Sequence, residues 1–401
     1  MLKNMADWLT DFVEYASHGE ASPRLMYWIG VSTIAAVLRR KVWFDQEDYQ
    51  WSPNFYILIV GPPGTVRKST SIDIGMRLLK QVDGINFGPS TITWQALVQY
   101  IAEHKDEHTQ GETGEIFESS NVTIALSEFG TFFDPENREL VDQLTDLWDG
   151  KLGVVEKMTK TSGCDSMTNP WINIIAGTTP KWLAKNFGEG LVGGGLAGRF
   201  IYLFGEMPTK DIAYPKRSLK LSEHRQKRAA LVEGLKMMAQ YMGDFELTEE
   251  AYEWGEQWYQ KERAKLRSQG TESLEAGFLV RKQVHLHKLA MAICAAQYMF
   301  PTVNITHMES ANTQLTALDV DTRKIFGYVG QSKLTTASRE IVEAVERAGT
   351  IERRELYRKK FFRTLSSGEF DEAVRSAIQA ELILESDGVA RPVLMARKET
   401  K

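Results

Sequence analysis

The chain has 401 residues, 43% hydrophobic and 25% charged, with 48 Lys and Arg against 53 Asp and Glu. That balance excludes a disordered polymer and a uniformly basic nucleic-acid coat, and it leaves material for a large core in two or three domains. Two cysteines, Cys164 and Cys294, are too few for a disulfide framework and suit a reducing cytosol.

Asp7, Asp11 and Glu14 break any early apolar run, so no signal peptide is expected. Residues 1–50 read as an N-terminal helical segment. Leu9, Phe12 and Val13 lie at helical spacing within Met5–Ser17, and Pro23 starts a second helix through about Val37. Its apolar stretch Tyr27–Leu38 is shorter than the roughly 18–20 residues of a membrane span, so a buried helix and no membrane association are expected. A short strand over Lys41–Phe44 follows.

Residues 51–221 alternate strands with helices. Asn54–Val60 is a doubly buried strand pattern that stops at Gly61, and Ser69–Gln81 has a helical pattern. Asn121–Leu126, Trp171–Ala176 and Phe200–Phe204 are further strands, with a helix over Arg138–Trp148. Glu103–Glu118 reads as an exposed acidic loop. The alternation predicts an α/β domain with a mostly parallel sheet, whose ligand sits at the carboxyl ends of the strands. From 222 to 334 the pattern predicts a helical subdomain, with helices over Glu223–Met242, Thr248–Gln269 and Glu275–Met299. Residues 335–401 read as helices over Ser338–Arg347, Glu352–Arg363 and Gly368–Ala380. A hairpin of Leu382–Glu385 and Ala390–Leu394 around Asp387-Gly388 follows, which together is the winged-helix pattern.

The segment Gly61-Pro62-Pro63-Gly64-Thr65-Val66-Arg67-Lys68-Ser69-Thr70 carries the clearest chemistry. Glycines let backbone amides close on an anion, a lysine reaches β- and γ-phosphates, and a hydroxyl serves Mg²⁺. A glycine normally precedes the lysine; here Val66-Arg67 fills that place and lengthens the loop by one residue. The competing reading is a plain strand-to-helix turn with a solvated lysine. The strand Thr123–Leu126 ends in Ser127-Glu128 where Asp-Glu is usual. Glu128 suits activation of water or a water-bridged Mg²⁺, or is a surface carboxylate. Thr178 or Thr179 would orient the water or touch the γ-phosphate, or merely form a Thr-Thr-Pro turn. Gly193-Gly194-Gly195 and Arg199 suit an arginine supplied to a neighbour's phosphate, or a structural salt bridge. Of the histidine pairs, His104/His108 and His285/His287 lack further ligands at zinc spacing.

Taken together, GPPGTVRKST, LSEFG, INIIAGTTP and GLAGRF resemble the AAA+ ATPases over residues 1–330. They look most like phage and plasmid replicative helicases, which share features with superfamily 3. The resemblance implies a P-loop NTPase core at 51–221, a helical lid at 222–334 and a cytoplasmic hexameric ring, in the host cytoplasm if phage-encoded. It implies that Lys68 and Ser69 bind ATP phosphates and Mg²⁺, that Glu128 is the catalytic base, that Arg199 acts in trans, and that Arg281 is a second sensor from the lid.

The related helicases grip DNA with a hairpin, and Lys157 and Lys160 fall in the matching stretch between Trp148 and Pro170. There they would touch the backbone of single-stranded DNA in a central pore, or be ordinary surface lysines. Arg354, Arg358 and Lys359, within the basic run Arg353–Arg363, suit duplex DNA beside the wing, or form a solvated face. The expected activity is ATP-dependent DNA translocation in phage DNA replication, with ATP hydrolysed between subunits. The alternative is an ATP-switched DNA-binding helicase loader, or a regulatory ATPase, that does not unwind.

Overall fold

The computed structural model describes residues 7–91, 93–109, 114, 116–159, 163–186, 195–269, 274–386 and 393–396. It is a mixed α/β protein of two compact units, residues 1–325 and 326–401.

In the first unit Asp7 caps helix α1 (Trp8–Ala16) by accepting from the Leu9 amide, and Ser22 with Pro23 starts α2 (Pro23–Leu38). Helix α2 is buried from Trp28 to Leu38; its two polar residues are satisfied inside, Thr33 by donating to the Ile29 carbonyl at 2.8 Å and Ser32 by accepting from Asn173 at 3.1 Å. Gly30 sits where a Cβ would meet Leu9 and Phe12 at 2.9 and 3.0 Å, so it sets how closely α1 lies on α2. Three buried cations follow. Arg39 pairs with Asp106 at 2.8 Å, Arg40 donates to the Gly150 carbonyl at 2.9 Å, and Lys41 donates to the Ala239 carbonyl. These bonds compensate the cost of burying charge. The strand Val42–Asp45 then pairs with Gln50–Trp51 and Gly243–Asp244.

The main sheet holds β1 (Tyr56–Val60), β2 (Lys105–Thr109), β3 (Ile116–Leu126), β4 (Trp171–Thr178) and β5 (Phe200–Phe204), in the order β2-β3-β4-β1-β5. Strand β1 is buried at all five residues and lies between parallel neighbours. Its Val60 registers with Thr178 on one side and Phe204 on the other. Strand β3 runs parallel on the far side of β4, with Leu126 against Ala176. The carboxyl ends of these four strands therefore share one edge. Helix α3 (Lys68–Leu79) follows β1.

The acidic stretch 103–118 is only partly a loop. Lys105–Thr109 forms β2, antiparallel to Ile116–Ser120 of β3. Its side chains alternate between exposed and half-buried, and this edge pairing lets polar residues occupy a strand.

Helices Leu221–Met238, Glu249–Gln269 and Leu274–Ala296 contribute Leu235, Trp258 and Leu289 to the same apolar core that holds Trp28 of α2 and Ile57 of β1. The segments the sequence suggests as N-terminal helices, α/β core and lid thus share one interior. A 44-residue helix, Ile305–Ala348, carries the chain from the first unit into the second, where the sequence suggests a helix only from Ser338.

The second unit has its own core, with Ile341, Val345, Phe361, Phe370 and Leu394 among its buried members. Ser366 and Glu369 form a reciprocal cap on helix Ser367–Gln379. Val393–Ala396 pairs antiparallel with both Ile383–Glu385 and Thr350–Glu352. The expected turn Asp387-Gly388 lies outside the described residues. No helix among the described residues is long and apolar enough to cross a membrane.

Candidate functional site

The loop after β1 turns on two positive backbone angles, Gly64 at φ 75° and Arg67 at φ 55°. Gly64 adopts this freely, whereas Arg67 gives up about 1 kcal/mol. Arg67 takes the left-handed position just before the lysine, and its Nε bonds Glu20 at 2.6 Å. Glu20 also accepts from the Ile212 amide at 2.9 Å, and the two bonds hold its carboxyl below the usual range.

Between Gly64 and Arg67 lies Val66. It is buried, and its methyls press on Gly61 and Gly205, where any Cβ would collide with them. The loop is thus anchored by a buried apolar side chain held between two glycines.

Among the described residues no side chain caps α3, so the amides of its first turn face out of the helix end. Lys68 begins that helix. Its Nζ donates to the carbonyls of Gly61 at 2.7 Å and Pro62 at 3.1 Å. Burial lowers its pKa, and the Glu128 carboxylate opposes that shift. Gly177 of β4 lies against it: a Cβ there would stand 2.5 Å from the Ser127 carbonyl and 3.4 Å from the Lys68 Cε. The structure thus brings Lys68, Ser127, Glu128 and the end of β4 together. Gly177 is a further site residue that sequence reasoning missed, although its position just before Thr178-Thr179 was a signal.

Thr178 and Thr179 differ. The Thr178 hydroxyl is buried without a hydrogen-bond partner. The Thr179 hydroxyl instead accepts from the Trp182 amide at 3.2 Å and caps the helix Pro180–Asn186. Ser69, Thr70 and Glu128 are exposed at the same edge, and Ser69 and Ser127 line one cleft.

Arg199 and Arg281 are placed elsewhere. Arg199 precedes Phe200, which registers with Tyr56, so it stands at the opposite end of the sheet from the loop. It is buried, and it forms a two-point pair with Asp149 (3.1 and 2.6 Å) and a bond to the Gly195 carbonyl at 2.8 Å. This is the salt-bridge alternative rather than a free side chain. Its preceding Gly193-Gly194 lies outside the described residues. Arg281 sits beside it, since a Cβ on Gly195 would lie 3.1 Å from Arg281 and 3.2 Å from Arg199. Burial and Arg199 both lower the Arg281 pKa. The structure does not bring Arg281 to Lys68.

Lys157 lies in a hairpin of Val154–Thr159 with Gly163–Thr168, opposite Asp165. The Lys157 side chain and the whole of Lys160 lie outside the described residues. In the second unit Arg353 is held by Asp371 and Glu385, each at 2.7 Å, and Lys359 pairs with Glu355 at 2.6 Å. Arg354 and Arg358 are exposed and form no ion pair among the described residues. Arg354 precedes a π-helical turn, Tyr357–Phe361, and Arg358 lies within it; Phe362, which follows, is 67% exposed.

Burial drives His285 to about 3 and His287 to about 4. His287 stacks on Phe44, and His285 bonds the Gly198 carbonyl. Both belong to the core. Compared with known proteins, the chain matches no family model and no curated relative.

Proposed function

We propose that this chain is an ATPase of the AAA+ type, with a P-loop core, a helical lid and a C-terminal winged helix, that acts on DNA as a cytoplasmic translocase or helicase. One observation carries the reading: a lysine satisfied only by loop carbonyls stands at an uncapped helix end, beside the acidic end of a strand one place removed in the sheet. Neutral carbonyls are weak partners for an ammonium, and an anion at that point would be a stronger one.

On this reading Lys68 leaves Gly61 and Pro62 for the β- and γ-phosphates while the first amides of α3 hold the same anion. Glu128 holds the attacking water and accepts its proton. Gly177 keeps the end of β4 close enough for Thr178 to contribute its unpartnered hydroxyl. Mg²⁺ suits the oxygen donors present, with Ser69 and Glu128 as its protein partners. When bound, it neutralises charge on the phosphates. Arg354, Arg358 and Phe362 offer a duplex two phosphate contacts and an aromatic face, with Lys359 partly satisfied by Glu355. Lys157 and Lys160 remain the candidates for single-stranded DNA in a homo-hexameric ring serving phage DNA replication.

A second reading is an ATP-switched loader or regulatory ATPase that does not unwind. The Arg199–Asp149 pair and the serine at 127 favour it, because both reduce the groups available for rapid hydrolysis. ATP hydrolysis with and without single-stranded DNA separates the two. DNA-stimulated turnover that Lys68→Ala abolishes supports the translocase; tight ATP binding with negligible turnover supports the switch.

A further inference from the structure

We propose that Glu20 is a positioning residue for the loop after β1: through Arg67 it holds the left-handed backbone turn that sets Lys68 and the first amides of α3, and through the Ile212 amide it ties that turn to the segment after β5. The proposal rests on the nucleotide-binding reading above. Arg67 stands at φ 55° and ψ 30°, immediately before Lys68. A residue with a Cβ stays in that region only where its surroundings hold it there. Two sets of bonds do so. On the main chain, the Arg67 carbonyl accepts from the Ser71 amide at 2.9 Å and from the Ser71 hydroxyl at 2.8 Å. That is an ordinary helix start with one added hydroxyl. On the side chain, Nε donates to Glu20 at 2.6 Å, a bond that spans 47 residues of sequence.

Glu20 is itself anchored. Its side chain is 13% exposed, against 53% for Arg67. One carboxylate oxygen accepts from Arg67 and the other from the Ile212 amide. The turn that carries it is fastened to α1: the Gly19 amide donates to the Ala16 carbonyl at 3.3 Å, and His18 Nδ1 to the Tyr15 carbonyl at 2.8 Å. Ser22, two residues on, caps α2. The carboxylate is therefore presented from a fixed backbone, and the arginine is the partner it holds. An exposed ion pair adds little to global stability. Here the bond opposes only the conformational preference of one residue, an energy of similar size, so it decides the turn. Relaxation of Arg67 toward negative φ would redirect Lys68 and the amides that follow it. Val66 against Gly205 gives the loop a second point of contact with the segment after β5.

The test measures binding of ATP with a ribose-linked fluorophore to the full chain, for wild type, Glu20→Gln, Arg67→Gly and the double variant, with a melting curve for each. Glu20→Gln keeps an acceptor for the Ile212 amide and loses the one for Arg67. It is expected to weaken ATP binding about 5-fold with the melting midpoint nearly unchanged. Glycine takes the left-handed turn without a partner. Arg67→Gly is therefore expected to bind ATP about as tightly as wild type, and Glu20→Gln should have no further effect in that chain. Equal affinity of Glu20→Gln and wild type overturns the proposal. A loss from Glu20→Gln that persists in the Arg67→Gly chain also overturns it, since Glu20 would then act by another route. So does a large loss in Arg67→Gly alone, which would make the guanidinium a ligand of the nucleotide and not the means of setting the turn. If wild type binds no ATP, the nucleotide reading itself fails.

Discussion

The two ends of the central sheet each hold a buried cation, and they treat it in opposite ways. At the carboxyl end Lys68 rests on two neutral carbonyls beside an uncapped helix. At the amino end Arg199 is gripped at two points by Asp149, and nearby Lys288 is fully enclosed by Asn54 and the Trp148 carbonyl, its ammonium 3.6 Å from the Trp148 ring centre. Lys68 forms no ion pair among the described residues, and Arg199 already has one. An arginine next to a glycine run is therefore poor evidence of a mobile catalytic group when its counter-ion lies 50 residues away in sequence.

The sharpest way to break this contrast is Lys68→Ala. It should weaken ATP binding by about 100-fold, the loss of two charge-assisted hydrogen bonds at about 1.5 kcal/mol each, with the thermal midpoint nearly unchanged. Titration calorimetry and a melting curve on the same sample check both halves. Arg199→Ala should show the reverse, destabilising the fold by about 2 kcal/mol while ATP affinity is retained. That figure lies below the 3–5 kcal/mol of a fully enclosed pair because Asp149 is 38% exposed. An unchanged urea midpoint with abolished turnover would instead return Arg199 to a role in trans.

Acid should act at the amino end before the loop. Folded pKa values of about 3 for His285 and 4 for His287 lie below the ordinary 6.5. The unfolded chain then binds more protons below 6.5, so stability is full above that pH and falls as pH drops toward 4. The expected loss is about 2 kcal/mol per histidine at pH 5, and His287→Phe should remove its share from a pH series of urea melts. A smaller effect is expected for Glu20→Gln. Releasing Arg67 should leave the melting curve within about 0.5 kcal/mol of wild type and increase amide exchange through residues 61–67.

The strands and the turn after β1 were legible because doubly buried strands leave unbroken apolar runs and turns with positive backbone angles leave glycines. Pairings distant in sequence were not. Nothing local marks Asp149 as the partner of Arg199, or Asp371 and Glu385 as partners of Arg353. Nor does composition separate an acidic loop from β2, since an edge strand with one wet face carries the same residues. The long helix Ile305–Ala348 was missed for a related reason: its mixed apolar and polar surface obscures a single periodic stripe.

Val66 has a consequence for how this loop tolerates change. One small volume is shared by three positions, 61, 66 and 205, so none of them varies independently. Gly205→Ala alone should be poorly tolerated, and the same change should be far milder in a chain that also carries Val66→Ala. A change at Val66 is thus tied to two glycines, one opening the loop and one just past Phe204.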